Sequence, residues 1–199
     1  RLGLVRGRWP IWSWFSAAAM TPVIAVIAGM LGSLFLEESE SLKEMSETFR
    51  QHGKNGFLFP MMILIGGTPG LCEELLFRGY VQTRLVKFSA VMGVIVASVL
   101  FAAAHMDLTH SLTVLPLGLY LGWVSYRSGS LFPAMLGHFV NNAMAVFLLI
   151  AGTDAQAGEN VVLFGCGVVF ILMMSIAGCC GMLSTVVVVE RPKWLEGLV

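Results

Sequence analysis

Charged residues are scarce in this sequence, and their scarcity indicates the class of protein. Only 12 Lys and Arg and 12 Asp and Glu occur among 199 residues, so the formal net charge is zero. The charged share is 12% and the hydrophobic share is 57%, whereas soluble domains average about 25% and about 45–50%. A chain without a basic excess is not expected to bind nucleic acid. The composition predicts an all-α, polytopic membrane protein.

Cysteine is rare as well, which limits the roles that thiols can have. The four cysteines lie in apolar runs and none has the spacing of a zinc ribbon. They are Cys72, Cys166, Cys179 and Cys180. We expect them to be small packing residues. A Cys72 nucleophile is a weaker alternative, because apolar surroundings disfavour the thiolate.

Long apolar runs divide the chain into six predicted membrane crossings, each near the roughly 20 residues that a spanning helix needs. They cover residues 11–36, 57–88, 90–106, 111–126, 131–151 and 161–189. The first run is too long for a cleavable signal peptide, although the chain begins at Arg1 rather than Met. The second crossing is predicted to break at residues 66–70, Gly-Gly-Thr-Pro-Gly, because such a cluster interrupts a helix. Without a repeat or a soluble domain, residues 1–199 are predicted to form one integral membrane domain.

The distribution of charge predicts an orientation. The loop at residues 37–56 carries five Glu against Lys43, Arg50 and Lys54, and this acidic bias favours the non-cytoplasmic side. With both termini in the cytoplasm, nine of the twelve Lys and Arg lie on the inner side. We therefore expect a multi-pass protein with cytoplasmic termini, in the plasma or inner membrane if the source is bacterial.

Six polar side chains at membrane depth stand out against this background. They are Glu73, Glu74, Arg78, His105, His138 and Asn142. An ionised side chain at the centre of a bilayer costs about 2.5–3.5 kcal/mol on insertion scales. Such residues are therefore rare in membrane helices and usually have a function. Each alone has an ordinary explanation: a helix–helix hydrogen bond for a histidine, packing for an asparagine, an ion pair for Glu and Arg. Their occurrence together on different predicted helices favours a catalytic site.

A helical hairpin is predicted to bring two of these residues to the same depth. If residues 71–88 and 90–106 turn near Ser89, Glu73 lies sixteen positions before the turn and His105 sixteen positions after it. Because α-helices rise about 1.5 Å per residue, equal counts give similar depths.

Spacing of four residues predicts two further contacts. Arg78 follows Glu74 by four positions and can pair with it, and His138 and Asn142 share one helix face in the same way. A poorly solvated carboxylate can act as a general base on water, and a neighbouring histidine can orient that water. An imidazole and a carboxamide can donate hydrogen bonds to an oxyanion. The set therefore has the parts needed to hydrolyse an amide.

Three short motifs occur in order within seventy residues: Glu73-Glu74-x-x-x-Arg78, Phe101-x-x-x-His105 and His138-x-x-x-Asn142. Together they resemble the signatures of the CPBP family, the CAAX proteases and bacteriocin-processing enzymes, also called Abi. The resemblance covers about residues 69–145 and implies an intramembrane endopeptidase. Its relatives, the type II CAAX prenyl endopeptidases, remove the last three residues of prenylated proteins. It therefore implies a peptide or membrane-protein substrate that can carry a lipid.

The resemblance also implies roles for individual residues. Glu73 would activate water together with His105. His138 and Asn142 would form the oxyanion hole. Phe101, four residues before His105, is most simply a packing residue.

The same resemblance implies supporting roles and no cofactor, with one alternative. Glu74 and Arg78 would hold the other groups in place. Glu73, His105 and His138 could instead supply the three ligands of a catalytic zinc, although no His-Glu-x-x-His pattern is present.

Two other functions stay open at this point. The chain could be a non-catalytic scaffold, sensor or immunity protein that keeps the fold, since some family members are known only for self-protection. A small transporter is less favoured, because broken helices and buried charges mark transport sites but no inverted repeat is present. His52, in the acidic loop, and His110, in a turn, have no predicted role.

Overall fold

The computed structural model describes residues 2–156, together with Met173 and Ile176. Within that part of the chain all regular structure is helical and no strand occurs, which confirms the predicted all-α class. The predicted crossing at residues 161–189 falls almost entirely outside the described residues. So do three of the four cysteines: Cys166, Cys179 and Cys180.

Seven α-helices follow one another along the described chain. They are α1 (Ile11–Gly32), α2 (Glu40–His52), α3 (Leu58–Glu73), α4 (Thr83–Leu85), α5 (Ala90–Ala103), α6 (Leu108–Ser128) and α7 (Phe132–Gln156). Two π-helical segments join them, Gly53–Phe57 between α2 and α3 and Glu74–Gln82 between α3 and α4. Gly56, in the first segment, has a φ of +88°, so α2 and α3 meet at a kink.

Side chains and one glycine fix where several helices begin and end. The Ser39 and Ser89 hydroxyls each accept a hydrogen bond from the backbone N–H three residues later, at the starts of α2 and α5. The Asp107 carboxylate caps α6 in the same way. Gly129 ends α6 in the left-handed conformation, with a φ of +67°. The turn predicted near Ser89 is therefore present.

The centre of the molecule is formed by α1, α6 and α7. A cluster of buried apolar side chains joins these helices: Ala17, Leu117, Leu121, Val124 and Ala134. The Thr21 hydroxyl in α1 donates to the Gly137 carbonyl in α7 at 2.9 Å, and a Cβ on Gly137 would lie 3.0 Å from Thr21. α7 also packs against α3, while α5 packs against α6. α7 therefore lies between α1 and α3, where it can present polar groups to α3.

The segment before α1 folds back over the α6–α7 corner, residues 128–131. The Arg8 N–H donates to the Ser128 carbonyl at 2.9 Å, and the Leu131 N–H donates to the Gly3 carbonyl at 3.0 Å. Gly7 has a φ of +71°, and a Cβ there would lie 2.5 Å from the Ser128 oxygen. Glycine is required at this position, because any side chain would meet the backbone of the corner.

Three helical stretches are long and apolar enough to cross a membrane: Ile11–Gly32, Glu40–Leu85 and Phe132–Ile150. Large apolar side chains are exposed along α3 and α5, including Phe59, Ile63, Leu64, Val91, Met92 and Ile95. Soluble monomers rarely expose so large an apolar surface. The described part of the chain thus fits an integral membrane protein, and a total of six crossings stays a prediction.

The predicted break at residues 66–70 is wrong, because α3 runs through all five residues. Pro69 has no N–H to donate to the carbonyl of Ile65, one turn earlier. The side chain of Asn142 in α7 takes that place, with its Nδ2 atom 3.3 Å from the Ile65 oxygen. A neighbouring helix thus supplies the hydrogen bond that the proline removes.

Adjacent glycines in α3 give a matched test of its packing on α7. A Cβ added to Gly66 would lie 3.0 Å from the Phe139 ring and 3.1 Å from the Phe139 carbonyl oxygen, whereas one added to Gly67 meets no atom within 4 Å. We expect Gly66→Ala to destabilise the protein by about 1–3 kcal/mol through overpacking. Gly67→Ala should be neutral or stabilise by up to about 1 kcal/mol. Thermal unfolding in detergent measures both, and equal midpoints would contradict the close helix contact.

Candidate active site

A buried ion pair lies at the centre of the candidate site. Glu74 and Arg78 are both 0% exposed, and Arg78 Nη1 donates to Glu74 Oε1 at 2.9 Å. Arg78 Nη2 donates to the Gly118 carbonyl at 3.0 Å, and the guanidinium lies 4.2 Å from the centre of the Phe101 ring. The pairing expected from the four-residue spacing is therefore present, and it ties the segment after α3 to α5 and α6.

Glu74 also orients His138, on α7. His138 Nδ1 is 2.9 Å from Glu74 Oε1, and because a carboxylate only accepts, Nδ1 carries the hydrogen of this bond. The second ring nitrogen, Nε2, then faces Glu73, with 3.8 Å between it and Glu73 Oε2. That distance exceeds a direct hydrogen bond and allows one water to contact both atoms.

Glu73 differs from Glu74 in its surroundings. Its side chain is 34% exposed, yet its Oε2 atom is buried and has no hydrogen-bond partner. Glu74 Oε2 has no hydrogen-bond partner either, but Glu74 is fully buried and its Oε1 is shared by Arg78 and His138. The free oxygen of Glu73 lies instead beside the Nε2 of His138. A general base needs a free oxygen within reach of the proton that it removes.

The π-helical segment Glu74–Gln82 turns the supporting side chains inward. Its buried residues are Glu74, Phe77, Arg78, Gly79 and Gln82. Gln82 Nε2 donates to the Gly122 carbonyl at 2.9 Å, and a Cβ on Gly122 would lie 2.9 Å from Gln82 Oε1. A Cβ on Gly118 would lie 2.9 Å from the Phe101 ring. These two glycines of α6 therefore allow close packing against Phe101 and Gln82.

Phe101 lies between the two histidines of the site. Its ring centre is 5.2 Å from that of His105 and 5.6 Å from that of His138. His105 Nδ1 is 3.1 Å from the Phe101 carbonyl oxygen, so Nδ1 carries a hydrogen and Nε2 is free to accept one. Among the described residues, His105 has no hydrogen bond to Glu73 or Glu74. The structure therefore brings Glu73 to His138 rather than to His105.

The π-helical segment departs from the geometry that the estimate of equal depth assumes. The estimate assumes one uniform α-helix from Glu73 to the turn at Ser89, but nine of those residues have the wider i→i+5 turns of a π-helix. Wider turns advance less along the axis per residue and rotate the side chains differently. The similar depth of Glu73 and His105 therefore stays a prediction.

The turn between α5 and α6 places a further histidine beside the site. Met106 has a φ of +55°, which is uncommon for a residue with a side chain, and the chain reverses there. As a result, the rings of His105 and His110 lie 4.6 Å apart. Hydrogen bonds from the Ser39 side chain and from the His110 N–H lower the pKa of Asp107, so that carboxylate stays charged where it caps α6. The sequence places His110 in a polar turn and does not predict its contact with His105.

Asn142 is held by two hydrogen bonds. Its Nδ2 donates to the Ile65 carbonyl at 3.3 Å, and its Oδ1 accepts from Asn141 Nδ2 at 3.1 Å. An amide nitrogen carries two hydrogens, so one N–H is left for another acceptor. Asn142 follows His138 by one helical turn. Asn142 contacts α3, which ends at Glu73, and His138 contacts Glu74 in the π-helical segment that follows.

The zinc alternative named Glu73, His105 and His138 as ligands. Among the residues that the structure describes, no group of three or more His, Cys, Asp or Glu side chains is placed to hold a metal ion. Glu73 lies near His138, whereas His105 bonds to the Phe101 carbonyl. Cys72, one residue before Glu73, is exposed.

Comparison with known proteins supports the three motifs. A family model described as type II CAAX prenyl endopeptidase Rce1-like matches residues 55–144. That segment contains every residue of the candidate site, from Glu73 to Asn142. No curated protein and no solved structure matches the chain. The resemblance to the CAAX protease family is confirmed over the matched segment.

Proposed function

Because residues 55–144 match the model of the Rce1-like type II CAAX prenyl endopeptidases, we propose that the chain is an intramembrane endopeptidase with Glu73 as its general base. One observation carries the assignment of the base. The buried, unpartnered Glu73 Oε2 faces His138 Nε2 across 3.8 Å. Glu74 holds that imidazole in place from the other side.

In the proposed reaction, a water that contacts both of these atoms gives a proton to Glu73 while its oxygen attacks the carbonyl carbon of a peptide bond. The electrons of the carbonyl double bond move to the oxygen and form a tetrahedral oxyanion. When the oxyanion collapses, the C–N bond breaks and the leaving amine takes the proton that Glu73 holds. Exclusion of bulk water strengthens the electrostatic interactions that assist both steps.

His138 and Asn142 are the proposed donors to the oxyanion. In its charged form, His138 donates from Nδ1 to Glu74 and from Nε2 to a substrate oxygen. Asn142 has one amide hydrogen left after its bond to Ile65. Preorganised donors of this kind are usually the largest single contribution to stabilising such an intermediate.

His105 has a proposed role in orienting the water. Its Nδ1 is engaged by the Phe101 carbonyl, so its Nε2 can accept a proton. Catalytic hydrogen bonds are often long before the substrate binds and tighten in the complex. We propose that His105 reaches the water beside Glu73 once a substrate is bound.

The proposed substrate is a peptide or membrane protein whose cleavage site enters the bilayer, and a prenylated C terminus fits the name of the matched family. Three helical stretches that are long and apolar enough to span a membrane, and the exposed apolar side chains of α3 and α5, support a substrate that is cleaved within the bilayer. Cytoplasmic termini remain part of the proposal, because that orientation puts most Lys and Arg on the inner side.

Mapping of cleavage sites tests the proposed function. The purified protein is incubated in vesicles with a farnesylated CAAX peptide, with the same peptide without lipid, and with a randomised peptide library, and mass spectrometry identifies the products. Removal of the last three residues from the farnesylated peptide alone supports CAAX processing, whereas cuts in the other peptides support general peptide processing. Absence of any cleavage would contradict a protease and favour the non-catalytic scaffold or immunity role.

Replacing Asn142 with alanine separates its two roles. We expect kcat to fall about 10²–10³-fold, the usual effect of removing one oxyanion donor. The variant also leaves the Ile65 carbonyl without a partner beside Pro69, which should lower stability by about 1–3 kcal/mol. Rates on the mapped peptide and unfolding temperatures in detergent report the two effects independently. A normal kcat with a lowered unfolding temperature would assign Asn142 to structure alone.

A further inference from the structure

The π-helical segment Glu74–Gln82 is nine residues long, which is unusual for this kind of helix. π-Helices are rare and occur mostly as single turns, frequently at functional sites. The segment lies between two α-helices, α3 and α4. Its i→i+5 turns therefore need support from neighbouring helices if they are not to relax to the i→i+4 turns on either side. The side chains that give this support also decide where Glu74, the first residue of the segment, is placed.

Two side chains of the segment bind α6 in the same way. Arg78 Nη2 donates to the Gly118 carbonyl at 3.0 Å. Gln82 Nε2 donates to the Gly122 carbonyl at 2.9 Å. In both pairs the partners are 40 residues apart in the chain, so the two hydrogen bonds lie one turn apart along α6. The backbone of α6 thus holds the segment at its middle and at its last residue.

Gln82 carries a cost that an apolar side chain would avoid. It is 2% exposed, and its Oε1 atom is buried without a hydrogen-bond partner among the described residues. A buried acceptor without a partner lowers stability, whereas an apolar group of the same shape can be neutral or stabilising. Polar groups that break such a local rule are typical of functional sites. The glutamine is therefore a candidate for a role in activity rather than in stability.

The π-helical segment connects Gln82 to the imidazole of the site. Glu74, at the other end of the segment, accepts from His138 Nδ1 at 2.9 Å. His138 Nε2 in turn faces Glu73 Oε2 across 3.8 Å. A change from i→i+5 to i→i+4 turns, with the end at Gln82 still joined to α4, would rotate each preceding residue about the helix axis. The rotation accumulates along the segment, so Glu74 would turn furthest and would no longer face His138.

We propose that Gln82 is a positioning residue for the peptide hydrolysis: its hydrogen bond to the Gly122 carbonyl keeps the segment π-helical, and the segment then holds Glu74 against His138. The inference rests on the proposed endopeptidase function and adds a residue, outside the three motifs, on which the rate depends. A displacement of about 1 Å that is caused far from the reacting atoms can lower a rate about 10²-fold. Gln82 acts through Glu74 and does not itself touch the substrate.

Gln82→Met tests this role in kinetics, because methionine keeps the length of the side chain but has no N–H to donate. On the peptide identified by cleavage mapping, kcat should fall about 10–100-fold. KM should stay close to that of the wild type, because the substituted side chain does not bind the peptide. The unfolding temperature in detergent should be unchanged or higher, because the variant removes the unpartnered Oε1.

Gln51→Met is the matched control, because it makes the same chemical change at an exposed position in α2. It should leave kcat, KM and the unfolding temperature unchanged. A fall in the unfolding temperature of Gln82→Met that is large enough to explain its lower rate, or a failure of that variant to fold, would assign Gln82 to structure and overturn the proposal.

A spectroscopic measurement follows His138 without any substrate. NMR of the protein with isotope-labelled histidine, in lipid nanodiscs, reports which ring nitrogen carries the hydrogen and how strongly it is bonded. The His138 signal is identified by its loss in His138→Gln. The wild type should show a hydrogen on Nδ1 that is bonded to Glu74. Gln82→Met should change this signal and Gln51→Met should not.

The two measurements together decide the proposal. A changed His138 signal with a lower kcat and an unchanged unfolding temperature supports it. An unchanged signal, or a changed signal with a normal kcat, overturns it while leaving the protease intact. Absence of cleavage by the wild type would instead reject the protease itself, and the NMR signal would still show whether Gln82 positions His138.

Discussion

Glu73→Gln should lower kcat by about 10²–10⁴-fold, because proton transfer by a positioned base contributes about that much to such reactions. Glutamine keeps the size and one acceptor oxygen of the side chain but cannot take a proton from water. The fold should be unaffected, since Glu73 Oε2 has no hydrogen-bond partner to lose and the side chain is 34% exposed. The measurement is the initial rate of cleavage of the mapped peptide, together with the unfolding temperature in detergent.

Glu38→Gln is the matched control, because it makes the same chemical change at an exposed position before α2. Its rate should equal that of the wild type. Full activity of Glu73→Gln would remove Glu73 as the base. A loss of activity that is accompanied by an equal loss of folded protein would assign Glu73 to structure instead.

Arg78→Met should lower the stability of the protein by about 3–5 kcal/mol, the usual result of removing one partner of a buried ion pair. The variant leaves the Glu74 carboxylate without its guanidinium in a fully buried place. It also leaves the Gly118 carbonyl without its donor. For a chain of this length, the expected change in unfolding temperature is about 6–20 °C, at about 2–4 °C per kcal/mol.

Two further variants identify the cause of that loss. Arg84→Met removes an exposed arginine whose guanidinium lies 3.6 Å from the centre of the Tyr80 ring, and it should cost less than about 1 kcal/mol. Adding Glu74→Gln to Arg78→Met removes the uncompensated charge and should restore part of the stability. If the double variant is no more stable than Arg78→Met, the unpaired charge is not the cause.

Contacts within one helix or between small residues could be predicted from the sequence. The pairing of Glu74 with Arg78 follows from their spacing of four residues. The contact forms although this segment is a π-helix rather than an α-helix. Close packing at Gly118 and Gly122 follows from the absence of a side chain. The turn at Ser89 follows from a hydroxyl residue that can cap the next helix.

Contacts that depend on a partner helix could not be predicted. The cluster at residues 66–70 favours a break by itself, and only the amide of Asn142, which is distant in sequence, satisfies the carbonyl that Pro69 leaves free. The π-helical segment has no composition that distinguishes it from an α-helix. Counting residues along one hairpin considers only Glu73 and His105, and it does not show that His138, on α7, lies beside Glu73.

The covering of the α6–α7 corner by the segment before α1 has a consequence for biosynthesis. Arg8 Nη2 donates to the Arg127 carbonyl, which lies 119 residues later in the chain. At about 5–20 residues per second, the ribosome needs roughly 6–24 seconds to advance the 119 positions from Arg8 to Arg127. The segment before α1 therefore cannot form this hydrogen bond until α6 has been synthesised and inserted. Among the described parts of the protein, one of the first to be translated is one of the last to reach its final place.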